Sequence, residues 1–84
     1  MDLSKEINKT ESKEDFIKFL IKLRNDRDKN ESAWENQDIT GYLEAIGSWV
    51  EDMDGYFTNK GIEEPKNINW KFIATLFYVG KIYE

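Results

Sequence analysis

From Asp38 to Lys60 the chain reads DITGYLEAIGSWVEDMDGYFTNK. Its apolar residues Ile39, Tyr42, Leu43, Ile46, Trp49, Val50, Met53, Tyr56 and Phe57 recur at three- and four-residue spacing. That spacing holds side chains on one side of a helix at 3.6 residues per turn, and no two-residue alternation competes with it. A second strip, Gly41, Ala45, Ser48, Asp52 and Gly55, follows the same rhythm about 160 to 240° round from Ile39. Small side chains admit a neighbouring backbone, so this helix is expected to be contacted on two faces and to lie centrally.

Two other amphipathic segments flank it. Ser12 followed by Asp15 resembles a capping box with Asp in place of Glu, and it opens KEDFIKFLIKLRNDR. There Phe16, Phe19, Leu20 and Leu23 form the apolar stripe and Ile17 and Ile21 widen it, while Lys18, Lys22, Arg24 and Arg27 take the wetter side. Basic residues toward the end suit the negative pole of the helix dipole. The run Asn25 to Asn36 is a polar connection with Asn30 as a turn residue; Trp34, its one large apolar group, is expected to pin it to the core. Asp38 is placed to cap the long helix, and Gly61 in the left-handed conformation is a better stop than Gly55, because Tyr56 and Phe57 stay in phase beyond Gly55. IEEPKNIN reads as a loop, since Pro65 opposes helix and pushes Glu64 toward extended geometry. Asn69 then caps a last helix from Trp70 to Tyr83, apolar nearly all round except for an edge at Lys71, Thr75 and Tyr78, as expected of a buried or interfacial element. Residues 1–11, with Leu3 and Ile7 four apart, fit either a short helix or an N-terminal arm.

The expected fold is therefore all-α: a compact three- to four-helix domain with a long central helix, residues 1–84 forming one unit. Eighty-four residues leave no room for a second domain. Charged residues make up 35%, above the roughly 25% of an average domain, and hydrophobic residues only 39%, yet 14% are aromatic. Trp34, Trp49 and Trp70 can each bury about 150 to 250 Å², so a few large rings compensate for a short list of aliphatics.

The absence of Cys and His from the sequence removes disulfides, Cys/His zinc sites, thiol nucleophiles and imidazole acid–base chemistry. MDLSKEINK lacks the apolar core of a signal peptide, and the longest apolar run, residues 72–80, is far shorter than the roughly 20 residues that span a bilayer. A soluble, cytoplasmic protein is expected. Net charge is −5, unevenly placed: residues 1–30 carry eight Lys and Arg against seven Asp and Glu, or +1, and residues 31–84 carry four against ten, or −6. That balance disfavours nucleic acid, whose phosphates need a cationic face, and favours a basic partner.

The acidic residues Glu51, Asp52 and Asp54 invite a chemical reading because Asp-x-Asp-Gly occurs in calcium loops. Were Gly55 the sixth position of such a loop, its first would be Val50 and its twelfth Gly61, and neither is a ligand. No oxyanion stabiliser accompanies the carboxylates, and charge runs on helices are ordinarily solvated. Asp52 alone lies in the small strip, where partial burial against a Lys or Arg is expected. A stacking platform built from Trp34, Trp49, Tyr56 and Trp70 is weaker than the reading of those rings as core. No catalytic, cofactor-binding or metal residue is assigned.

The words Trp34-Glu35-Asn36, Tyr42-Leu43-Glu44-Ala45, Trp49, Asp54-Gly55-Tyr56 with Asn59, Pro65, Trp70-Lys71 and the terminal Ile82-Tyr83-Glu84 resemble a family of small bacterial proteins of unknown function, over about residues 12–84. The resemblance implies a stand-alone bacterial cytoplasmic domain and supplies no enzymatic residues. Gly41 and Gly47 depart from it, standing where bulkier or helix-favouring residues are expected.

Size, acidity, excess apolar surface and the lack of catalytic side chains favour a non-enzymatic protein-binding module, with an immunity-type inhibitor of a basic toxin as its specific form. Glu44, Glu51, Asp52 and Asp54 are the candidate partner surface. The alternatives are a carboxylate-dependent metal protein or enzyme using Glu51, Asp52 and Asp54, and a structural homodimer. No cofactor, nucleic acid or membrane enters any of these readings.

Overall fold

A computed structural model describes residues 3–61 and 68–83. The described residues form four α-helices and one 3₁₀ turn, with no strand: α1 Leu3–Ile7, α2 Lys13–Lys29, the turn Glu31–Ala33, α3 Ile39–Lys60 and α4 Trp70–Ile82. The Pro65 loop lies outside the described residues, as does the Tyr56 side chain.

Side chains and glycine set the helix ends. Ser12 Oγ accepts from the Asp15 N–H at 3.1 Å, and the Asp15 carboxylate accepts in turn from the N–H of Glu11, one residue earlier than a standard capping box would place it. Asp38 Oδ1 accepts from the Gly41 N–H at 2.7 Å, and Asn69 Oδ1 from the Phe72 N–H at 2.8 Å. Gly61, at φ 67°, closes α3, a conformation that glycine adopts without a Cβ penalty. α2 runs to Lys29, so the polar connection begins at Asn30 and not at Asn25.

The hub is α4. It packs against α1, α2 and α3, whereas the backbone of α3 runs beside α4 and beside no other helix among the described residues. α3 is the longest helix and lies mid-chain, but the expected packing on two faces is corrected: a helix apolar all round can be shared among neighbours, and that helix is α4. Phe72, Ala74, Val79 and Gly80 are its buried residues. One core cluster gathers Leu3, Phe19, Leu23, Trp34 and Ala74; the other gathers Trp49, Phe72 and Val79. α1 is thus a helix whose Leu3 enters the core, only 4% exposed.

The closest approach falls on α4 and not on the small strip of α3. A Cβ on Gly80 would lie 2.6 Å from the Tyr42 ring, whereas the atoms nearest a Cβ on Gly41 are in the Asp38 and Asn36 side chains, at 3.1 Å and beyond. Within the strip Ala45 is buried, Gly41 and Ser48 are half-buried, and Asp52 and Gly55 are exposed. The last helix also ends earlier than its apolar pattern suggests: Ile82 is 41% exposed and Tyr83 is the C-cap.

Candidate functional site

The orientation of α3 decides what it presents. Its buried arc contains Ala45 and Trp49, with Tyr42, Ile46, Met53 and Phe57 packed half-buried against the core. Ile39, Val50 and Leu43 lie about 80 to 120° further round from Trp49. They therefore turn outward, with exposures of 76, 39 and 60%. All three belong to the apolar pattern that sequence reasoning assigned to the core. The pattern is wider than the one face that α4 can cover, and no second helix arrives to bury the remainder.

Three of the four expected carboxylates flank these aliphatics. Glu44, Glu51 and Asp54 are exposed, and no ion pair among the described residues engages them. Their i±4 neighbours on α3 are Thr40, Ser48, Gly47, Gly55, Val50 and Thr58, none of them cationic. Asp52 stands apart from the other three. It is exposed, contrary to the expected burial against a Lys or Arg, and its Oδ2 accepts from the Tyr83 hydroxyl, which raises the Tyr83 pKa. Asp52 thus ties α3 to the end of α4 and does not belong to the outer face.

Two further anchors hold α3 in register. The Tyr42 hydroxyl donates to the Phe77 carbonyl of α4 at 2.6 Å, and burial pushes its pKa up to about 12. Before α3, the Glu35 N–H donates to the Lys81 carbonyl at 3.0 Å, while Asn36 Nδ2 donates to the carbonyls of Gly80 and Tyr83 at 2.9 and 2.8 Å. Trp34-Glu35-Asn36 therefore satisfies carbonyls that the end of α4 would otherwise leave unpaired.

Beneath this clip lies a polar cluster that sequence reasoning missed. Asp26 Oδ2 accepts from the Trp34 indole N–H at 2.8 Å and from Lys81 Nζ at 2.9 Å, and Asp26 Oδ1 accepts from Asn30 at 3.0 Å. The Asp26 and Lys81 side chains are 14 and 13% exposed. Burial alone would raise the Asp26 carboxyl, but the bonds from Lys81, Trp34 and Asn30 outweigh it and hold the pKa below the usual value. Asp26 and Lys81 are 55 positions apart in the chain, and nothing local in the sequence pairs them.

Near Ile39 an open hollow of about 490 Å³ adjoins the outer surface of α3, its lining carrying Asp28 and Asp38 together with Arg27. Asp52 and Asp54 sit on continuous helix, separated by about 200° of rotation, and no group of three or more potential ligands gathers among the described residues. Nor is any helix among those residues long and apolar enough to cross a membrane. The outer face of α3 offers exposed aliphatic surface bordered by carboxylates that no ion pair among the described residues engages.

Comparison with curated proteins and with solved structures gives no match. A family model does match, over residues 12–84, and on that extent the chain belongs to a family of unknown function, DUF7660.

Proposed function

We propose that the protein is a binding module whose outer α3 face docks a basic protein surface. The supporting observation is the exposure, on one side of a single helix, of Ile39, Leu43 and Val50 beside Glu44, Glu51 and Asp54. Exposed aliphatics gain less from folding than buried ones, and Glu51 and Asp54, three residues apart on α3, repel with no cation beside them. A cationic, partly apolar partner relieves both. In its specific form the module is an immunity-type inhibitor that acts in the bacterial cytoplasm by occluding a basic toxin, a role that suits its size and acidity.

The test is quantitative capture from the cells that make the protein. Wild type is compared with Leu43→Asp/Val50→Asp, which removes the aliphatics while keeping the acidity, and with Glu44→Lys/Glu51→Lys, which reverses the charge. A net-basic protein held by wild type and lost from both variants supports the reading. Identical retained sets from all three baits sink it.

A further inference from the structure

The chemistry that the α3 face calls for is present once more on this molecule, on the outer side of α2. Ile17 and Ile21 are 47 and 46% exposed, with Lys13, Lys18 and Arg24 exposed around them and the acids Glu14 and Asp28 exposed on the same side, which leaves the border net cationic. α2 carries six basic residues against four acidic ones, a net +2, while α3 carries one against four, a net −3. One face is thus aliphatic with a mixed border that is net cationic by one charge, and the other aliphatic with the anionic border of Glu44, Glu51 and Asp54. Within one molecule they do not meet, because both helices pack on α4 and not on each other.

We infer that a second copy of this chain occupies the α3 face, with the Ile17–Ile21 side of α2 in one copy lying against Leu43 and Val50 of the next. This rests on the docking role proposed for α3 and adds a form of regulation, because a copy held in this way has its α3 face masked until a foreign partner competes for it. A symmetric α3-to-α3 pair is disfavoured, since it would set Glu44, Glu51 and Asp54 against their own equivalents. The α2-to-α3 contact is heterologous: each copy keeps one face free, so the assembly grows with concentration and does not stop at a pair. A single helix pair buries well below the about 1,600 Å² of a standard interface, in the size class of weak, transient contacts. Added salt weakens it by screening the borders.

Sedimentation of the purified full chain, from about 10 μM to about 1 mM, reads this without knowledge of any foreign partner. The expected result is an average mass that rises above the 10.0 kDa monomer with concentration and falls back on addition of salt. Leu43→Lys and Ile17→Glu alter exposed positions, and circular dichroism checks that each variant keeps its helices. Each alone should stay at monomer mass, because one of its two faces is spoiled. Mixed in equal amounts they should form a capped pair of twice the monomer mass, since Leu43→Lys keeps a sound α2 face and Ile17→Glu a sound α3 face. Monomer mass for wild type throughout overturns the inference, as does association indifferent to Ile17→Glu or a mixture no heavier than its components. Such failures leave the capture result untouched, so the loss of self-association and the loss of a foreign partner are separate outcomes.

Discussion

Gly47 and Gly80 show how the same residue type carries opposite consequences. A Cβ at Gly47 would meet nothing within 4 Å, as the wheel position of this residue outside both strips of α3 implies, so Gly47→Ala should stabilise by about 0.5 to 1 kcal/mol through reduced backbone freedom in the unfolded chain. At Gly80 the added methyl would collide with the Tyr42 ring, which its bond to the Phe77 carbonyl holds in place, so Gly80→Ala should cost about 1 to 3 kcal/mol. Equilibrium denaturation of the two variants should give shifts of opposite sign; a shared sign would mean that the Tyr42 ring gives way to a methyl group at Gly80. Asp26 supplies a second test at this scale. Asp26→Ala strips Trp34 and Lys81 of their acceptor in a site where both side chains of the ion pair are less than 15% exposed, and should cost about 2 to 4 kcal/mol. A loss under about 0.5 kcal/mol would place the cluster among surface pairs.

For single elements, the question is which face of a helix carries stability. α3 should divide sharply: Trp49→Ala empties a core site and should cost about 3 to 5 kcal/mol, whereas Leu43→Ser, at 60% exposure, should fall within about 0.5 kcal/mol of the parent. If Leu43→Ser proves as costly as Trp49→Ala, the outer face is packed and the docking role proposed for it fails. Most element boundaries were legible locally. Ser12, Asp38, Asn69 and Gly61 act as caps and stop through bonds and backbone angles that span three or four residues, and such signals survive in a linear text. The outward turn of Ile39, Leu43 and Val50 was not legible, because periodicity ranks residues by angle without saying how wide a sector the neighbours will cover. One signal was available: an apolar arc extending to Ile39, Leu43 and Val50, with the buried Ala45 at its other edge, is broader than a single helix contact.

Across the whole molecule, four terms converge on α4: α1 through Leu3, α2 through Phe19 and Leu23, the connection through Trp34, and α3 through Tyr42 and Trp49. Stability should decline on both sides of neutrality. Asp26 has a depressed carboxyl pKa, so its contribution is present above the ordinary value of 3.8 and is lost as pH falls through the lower folded value. Tyr42 is the mirror case: its hydroxyl titrates near 10 in the unfolded chain and at about 12 in the folded one, so its contribution is full below 10 and drains away as pH rises toward 12. Absorbance titration of the tyrosines together with thermal unfolding checks this, and Tyr42→Phe should flatten the alkaline decline. An alkaline decline unchanged in Tyr42→Phe would locate the sensitive group elsewhere.

The sequence by itself determined the all-α class, the three long helices with their caps, the pinning role of Trp34 and membership of a family of unknown function. Those properties depend on local hydrogen bonding, helical periodicity and short words of residues. Only the tertiary structure decided that α4 and not α3 is the hub, that Asp52 bonds Tyr83 while Glu44, Glu51 and Asp54 stay solvated, and that Asp26 meets Lys81 across 55 positions. Each of these depends on where one helix lies relative to another, a distance that neither the period of a helix nor the identity of its cap can encode.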